Sequence, residues 1–133
     1  SIMKDFPEDI IYSCEHIWVK VDGNMATIGI TDYAQERLGD ILSVEFIETD
    51  TYVERDETFG SIESVKEVVD LISPVSGTVV VVNEDILEDV SIINRDPYDT
   101  GWLVVIEMDN LEQLEDLLAA SNYHDFIAQE ESE

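Results

Sequence analysis

The chain holds one cysteine, Cys14. A single thiol excludes an internal disulfide and a cysteine-rich zinc site, and it fits a reducing compartment. Beside a strand-like run it reads as a small packing residue rather than a nucleophile. Basic residues are scarce too: six lysines and arginines stand against 32 acids, a net charge of −26. Such a surface repels phosphates, so neither nucleic acid nor a membrane is an expected partner, and partners with basic patches are. No apolar run approaches the roughly 18 residues that suggest a membrane span. No basic, apolar leader opens the chain, which starts at Ser1. A cytoplasmic protein is expected, or a mitochondrial-matrix one whose transit peptide has been removed, and in either case a monomer.

What is present is enough for one core. The 133 residues are 44% hydrophobic, which predicts one domain over 1–133, with about 110–130 a helical part of it. In "HIWVKVDGNMATIGI", Ile17, Val19 and Val21 alternate with Trp18, Lys20 and Asp22 around a "DGN" turn, a β-hairpin. "TDYAQERLGD" reads as a short helix, capped by Thr31 or Asp32 and ended by Gly39. Strands follow in "ILSVEFIE", "FGSIESV", "EVVDLIS", "TVVVVN" and "WLVVIEM"; the valine run is apolar enough to be buried on both faces. "EDILEDVSIIN" reads as a helical turn and loop. Leu111, Leu114, Leu117 and Leu118 have helical spacing after a capping Asn110. A second helix starts near Ser121 and carries Tyr123, Phe126 and Ile127, and the "EESE" tail is expected to fray.

Lys66 lies between two strand-like runs, with Glu63, Glu67 and Asp70 nearby, and only Lys4 and Lys20 share its residue type. Four readings are open. It can be a solvated turn residue with weak surface pairs. A Schiff-base lysine needs a lowered pKa, which adjacent acids oppose. Phosphate binding wants glycines and further cations, which the segment lacks. An amine at a rigid hairpin tip can also be presented for covalent modification.

The stretch "IESVKEVVDLISPVSGTVVVVN" resembles the lipoylation segment of the glycine cleavage H-protein family. "ATIGITDYAQERLGDI", "INRDPYDTGWL" and the "LEQLEDLLAASNYHDFI" ending resemble other segments of that family, in the same order. The resemblance implies a mainly β, lipoyl/biotinyl-like barrel-sandwich hybrid with a short internal helix and C-terminal helices. It implies a non-catalytic carrier with lipoate in amide linkage to Lys66 and no metal. Glycine decarboxylase, aminomethyltransferase and dihydrolipoamide dehydrogenase would be its partners, and a lipoate ligase or lipoyl transferase would modify it. An H-like relay that supplies lipoyl groups to 2-oxoacid dehydrogenases is the alternative.

By the same resemblance Glu63 is a recognition acid for lipoylation, and Asp70 helps hold the loaded arm in a surface cleft. His16 matches a family histidine, read as packed or hydrogen-bonded more than as a proton relay. Pro74, Gly77, Asn94, Asp96, Pro97, Tyr98, Gly101 and Trp102 match structural turns, and Trp18 and Trp102 are read as strand aromatics. His124 is read as ordinary surface. The departures are informative. "HIW" replaces the family's "H-E-W", so Ile17 removes a carboxylate from the cleft, and Glu15 is the candidate to replace it. Ile47 stands for a proline and Val105 for a lysine. Glu67 replaces a small residue. Asp50 and Asp56 occupy frequent glycine positions, where a loss of special backbone geometry is expected.

Overall fold

The computed structural model describes residues 6–132; Ser1, Lys4 and the last tail residue lie outside them. Strands β1 (Ile11–Tyr12), β2 (Ile17–Asp22) and β3 (Met25–Ile30) lead into helix α1 (Asp32–Leu38). Then come β4 (Ile41–Phe46), β5 (Tyr52–Val53), β6 (Thr58–Ser64), β7 (Val68–Ile72) and β8 (Gly77–Val82). Helices α2 (Glu84–Glu88) and α3 (Ser91–Arg95) precede β9 (Val104–Met108), and α4 (Ala120–Glu131) closes the fold. One sheet has the order β1-β2-β3-β9-β8-β5, the other β4-β6-β7. All strand pairs are antiparallel. This is the expected two-sheet barrel-sandwich.

The core lies between the sheets. Ile17, Val19 and Ile28 from one sheet and Val44, Ile62 and Leu71 from the other belong to one buried cluster. A second cluster of Phe6, Tyr12, Trp18, Tyr123 and Ile127 forms where α4 covers the first hairpin. Tyr12 stacks on Tyr123 with ring centroids 4.6 Å apart. Two covered faces explain why Ile17, Trp18 and Val19 are all buried despite their alternation. Trp18 packs at Gly29, where any side chain would collide with the indole, and its Nε1 donates to Pro97 O at 2.9 Å.

Several expectations are corrected. The valine run of β8 is not buried on both faces, since Val81 is 45% exposed. Its pairing with β9 shifts between Val79 and Val81, and the irregularity turns that side chain outward. "EDILEDVSIIN" forms two short helices, α2 and α3. Asn110 does cap the next segment through Glu112 N, but the segment is a 3₁₀ turn ending at Asp116. Leu118 leaves it to bridge Tyr12 in extended pairing. Helix α4 starts at Ala120 without a side-chain cap, so Ser121 lies inside its first turn. Helix α4 continues through Glu131, so the first two residues of the "EESE" tail are helical. Trp102 lies before β9 rather than in a strand.

Asp50 and Asp56 keep the left-handed backbone that glycine would favour, with φ of 73° and 75°. The special geometry is therefore retained, and aspartate, which tolerates this region better than most residues, occupies it. At the proline position, the Ile47 amide donates to Phe59 O at 3.0 Å, a bond proline could not make.

Candidate functional site

Lys66 occupies the tip between β6 and β7, with Val65 as the other central residue of the turn. The Ser64 amide donates to Glu67 O at 2.8 Å. Ser64 Oγ accepts from the amides of Lys66 and Glu67, each at 3.2 Å, and its hydroxyl lies 3.2 Å from Glu67 O. A buried serine thus closes the turn from inside. Neither Val65 nor Lys66 has positive φ, so the tip needs no glycine.

The tip is also docked. Val65 N donates to Asp40 O at 3.0 Å, on the α1–β4 connection. Asn94 holds that connection from α3: its Oδ1 accepts from Ile41 N at 3.0 Å, and its Nδ2 donates to Gly39 O at 3.0 Å and Gln35 Oε1 at 2.9 Å. Gly39 caps α1 at φ 75°. A Cβ there would lie 3.3 Å from Val65 Cγ2 and 3.5 Å from Lys66 Cε, so glycine leaves room for the lysine stem. Lys66 Nζ donates to Arg37 O at 3.3 Å, placing a cation at the carbonyl end of α1.

A groove of about 260 Å³ starts beside this tip, where Arg37 and Glu67 line it, and reaches the β1–β2 turn at Glu15 and His16. Ile17, Ile30, Ala34, Leu38, Val69 and Leu71 give it apolar walls, and Asp70 lines it from β7. An apolar channel with carboxylates suits an alkyl arm that ends in a cation.

The Glu15 end is built by a tight turn. Ser13 Oγ accepts from Glu15 N and Ile17 N at 3.2 Å, and Ser13 N donates to Ile17 O at 2.9 Å. His16 closes the turn at φ 65°, a region most side chains avoid. Its ring compensates for that backbone: Nδ1 lies 2.7 Å from Tyr123 Oη, and Nε2 lies 3.4 Å from Glu130 Oε2. Burial is the main influence on the imidazole and holds its pKa below the ordinary value, against the opposing pull of Glu130. The same Glu130 oxygen takes Arg37 Nη1 at 3.0 Å, so α4 is tied to two residues that line the groove, His16 and Arg37.

Of the residues singled out in the sequence, Asp70, Glu15 and His16 line one groove, and Lys66 stands at its end. Glu63 does not join them. It sits in register between Ser43 and Val68, and its carboxylate accepts from Ser43 Oγ at 3.2 Å. Ile17 is also in the groove wall, 1% exposed. Glu15 is not its strand neighbour by alternation, because the 13–16 turn intervenes, yet both reach the same groove. Sequence reasoning missed Ser64, Arg37 and Glu130, and read Asn94 as part of a structural turn without its contacts. Ser64 had a local signal, a serine two residues before the tip amide it binds. Arg37, Asn94 and Glu130 act over long sequence separations, which no local pattern reports.

Residues 10–130 match the family model described as Glycine cleavage H-protein. The chain is 48% identical over 123 residues to the glycine cleavage system H protein of Staphylococcus carnosus, covering 92% of this chain and 98% of that protein. It is 47% identical over 128 residues to the H protein of Halalkalibacterium halodurans, covering 96% and 100%. Among solved structures, a glycine cleavage system H protein from Mycobacterium marinum superposes with a TM-score of 0.82 at 36% identity, covering 89% of this chain and 95% of the other.

Proposed function

Because the chain belongs to the glycine cleavage H-protein family, we propose that it is the lipoyl-carrying protein of glycine cleavage, with the lipoyl group on Lys66. The observation that carries this reading is the rigid tip: Ser64, Asp40 and Asn94 fix the backbone around one exposed lysine beside an apolar groove. Bound there, a dithiolane would supply uptake of a one-carbon amine fragment together with two electrons, which no natural side chain does.

The chain's own residues present and shelter the arm. The hairpin holds Nζ at a fixed place, where a lipoate ligase or lipoyl transferase can reach it. The apolar walls exclude water from an arm laid in the groove. Glu15 and Asp70 offer carboxylates to a terminal ammonium, and Glu63, on the outer face, serves recognition by the modifying enzyme. His16 holds the Glu15 turn against α4. The partners are glycine decarboxylase, aminomethyltransferase and dihydrolipoamide dehydrogenase, and a reducing, cytoplasmic setting accords with the single thiol.

The relay alternative rests on Ile17. The groove is lined by three carboxylates, Glu15, Glu67 and Asp70, despite that residue, so glycine chemistry is the reading preferred. The test is direct. Incubate the protein with lipoate, ATP and a lipoate ligase, map the modified peptide, then assay glycine–bicarbonate exchange with glycine decarboxylase. Lipoyl mass on Lys66 and exchange activity are expected. A lipoylated protein that supports no exchange but donates its lipoyl group to a 2-oxoacid dehydrogenase would establish the relay.

A further inference from the structure

Three of the large apolar side chains most exposed to solvent sit around Lys66: Leu42 at 55%, Val65 at 59% and Val68 at 68%. None is a leftover of core alternation. In β4 the register against β6 jumps between Ile41↔Ser64 and Ser43↔Glu63, so Leu42 is the extra residue of a bulge beside the tip. Ile41 and Val44 turn inward while Leu42 and Ser43 both face out. Val65 is fixed by its amide bond to Asp40 O and leans on Gly39. Val68 pairs with Glu63 on the outward face of the next strand. Around these three stand exposed acids: Asp40, Glu63 and Glu67. All three stand on the strand and turn residues next to the Lys66 tip.

We propose that Leu42, Val65 and Val68 form the contact surface for the enzyme that acylates Lys66, whose complement is an apolar cleft rimmed by basic side chains. The proposal rests on the carrier reading above and adds the surface through which the modifying enzyme recognises the tip. Amide formation joins Nζ to the acyl carbon of an ATP-activated lipoyl donor. The acyl–phosphate bond breaks, the nucleoside monophosphate leaves, and Nζ gives up two protons, one to become a free amine and one as the amide forms. That chemistry brings the enzyme's centre to bonding distance of Nζ, so its walls must cover Val65 and its strand neighbours. An enzyme acting at the far end of a long arm has no such need. The acidic rim selects basic side chains on the partner, while the apolar centre supplies contact area that salt does not screen.

The test compares the parent with Leu42→Thr, Val65→Thr, Val68→Thr and the triple variant. Threonine keeps strand preference and removes apolar contact. Lipoylation is followed by intact mass with a lipoate ligase, lipoate and ATP. Each single change is expected to lower kcat/KM about threefold to tenfold, and the triple at least about thirtyfold, through KM rather than kcat. The same variants, lipoylated to completion at high ligase, should be reduced by NADH and dihydrolipoamide dehydrogenase at rates within about twofold of the parent. Unchanged melting temperatures show that the fold is intact; if the triple variant melts early, the single variants decide. Equal lipoylation kinetics in all variants would overturn the surface, as would a parallel loss with the dehydrogenase. If Lys66 of the parent takes no lipoyl group, the carrier reading falls with it; if the parent is labelled and the variants match it, the surface alone falls.

Discussion

Glu15 and Asp70 are the groove's acids away from the Lys66 tip. If they hold a terminal ammonium, Glu15→Gln and Asp70→Asn should each shorten the lifetime of the loaded carrier. A charge-assisted hydrogen bond contributes about 1.5–3 kcal/mol in a favourable site, roughly tenfold or more in lifetime. Lipoylation at Lys66 should be unaffected, because neither residue borders the tip amine. Release of ammonia and formaldehyde without the aminomethyltransferase reads the lifetime; no change in either variant would remove both residues from the role. Ile17→Glu, which would place a further carboxylate in the groove wall, should carry a cost in stability. Ile17 is 1% exposed and belongs to the core cluster, so a carboxylate there should cost about 2–4 kcal/mol at neutral pH. Burial raises the pKa of such an acid. Its penalty should therefore be full above the folded pKa and shrink as pH falls toward the ordinary glutamate range.

His16 makes a second claim at this scale. Its folded pKa lies below the ordinary 6.5, mainly because the ring is buried. The neutral ring is thus the form the fold favours, and the unfolded chain binds the extra proton. Stability from this residue is complete above the unfolded pKa and is lost as pH falls from about 6.5 through the folded pKa. His16→Gln should flatten that part of the stability–pH curve, measured by urea unfolding at pH steps between about 7.5 and 5. A parallel curve for the variant would mean that the ring does not titrate differently on folding.

At the scale of elements, the Lys66 tip and the loop around Asp56 show how far local sequence reaches. The β6–β7 hairpin was legible because β-branched runs flank a short polar interruption. What closes it was legible only in part: Ser64 acts within three residues, but Asn94 reaches the tip's support from 53 residues away. The glycine positions taken by Asp50 and Asp56 looked like lost geometry, since sequence shows which residue changed but not whether the backbone moved. The backbone stayed left-handed, pinned by Asp50 N to Val79 O at 2.7 Å and Asp56 N to Ser73 O at 2.8 Å. The 3₁₀ turn at Leu111–Asp116 escaped because leucine spacing reports one buried stripe, whereas Leu111 is half exposed and Leu118 is claimed by Tyr12. Strain at Asp56 gives a simple test. Asp56→Gly should stabilise by about 0.5–1 kcal/mol, and Asp56→Ala should destabilise by a similar amount. Equal midpoints in urea for the two variants would show that this φ is not costly here.

At the scale of the whole molecule, the charge has a definite geometry. Arg37, Arg55 and Arg95 are each paired with an acid of the same chain, which leaves Lys66 as a cation on the face that partners must meet. Acylation replaces that ammonium with an amide and makes a chain of net charge −26 one unit more negative. Two consequences of salt then run in opposite directions. Self-repulsion among the acids destabilises the compact state, so screening should stabilise the fold. Attraction to basic partner surfaces speeds encounter, so the same screening should slow association. Between about 50 and 500 mM NaCl, where the Debye length falls from roughly 14 to 4 Å, the melting temperature should rise while the association rate with glycine decarboxylase falls by about tenfold or more. The lipoylated form should show the steeper fall, because its one cation at the tip is gone and the field it presents is more uniformly negative. Scanning calorimetry and stopped-flow mixing over one salt series measure both. A melting temperature that climbs while association stays flat would assign the acidity to solubility alone, and a lipoylated form no more salt-sensitive than the unmodified one would place the docking contacts away from the Lys66 face.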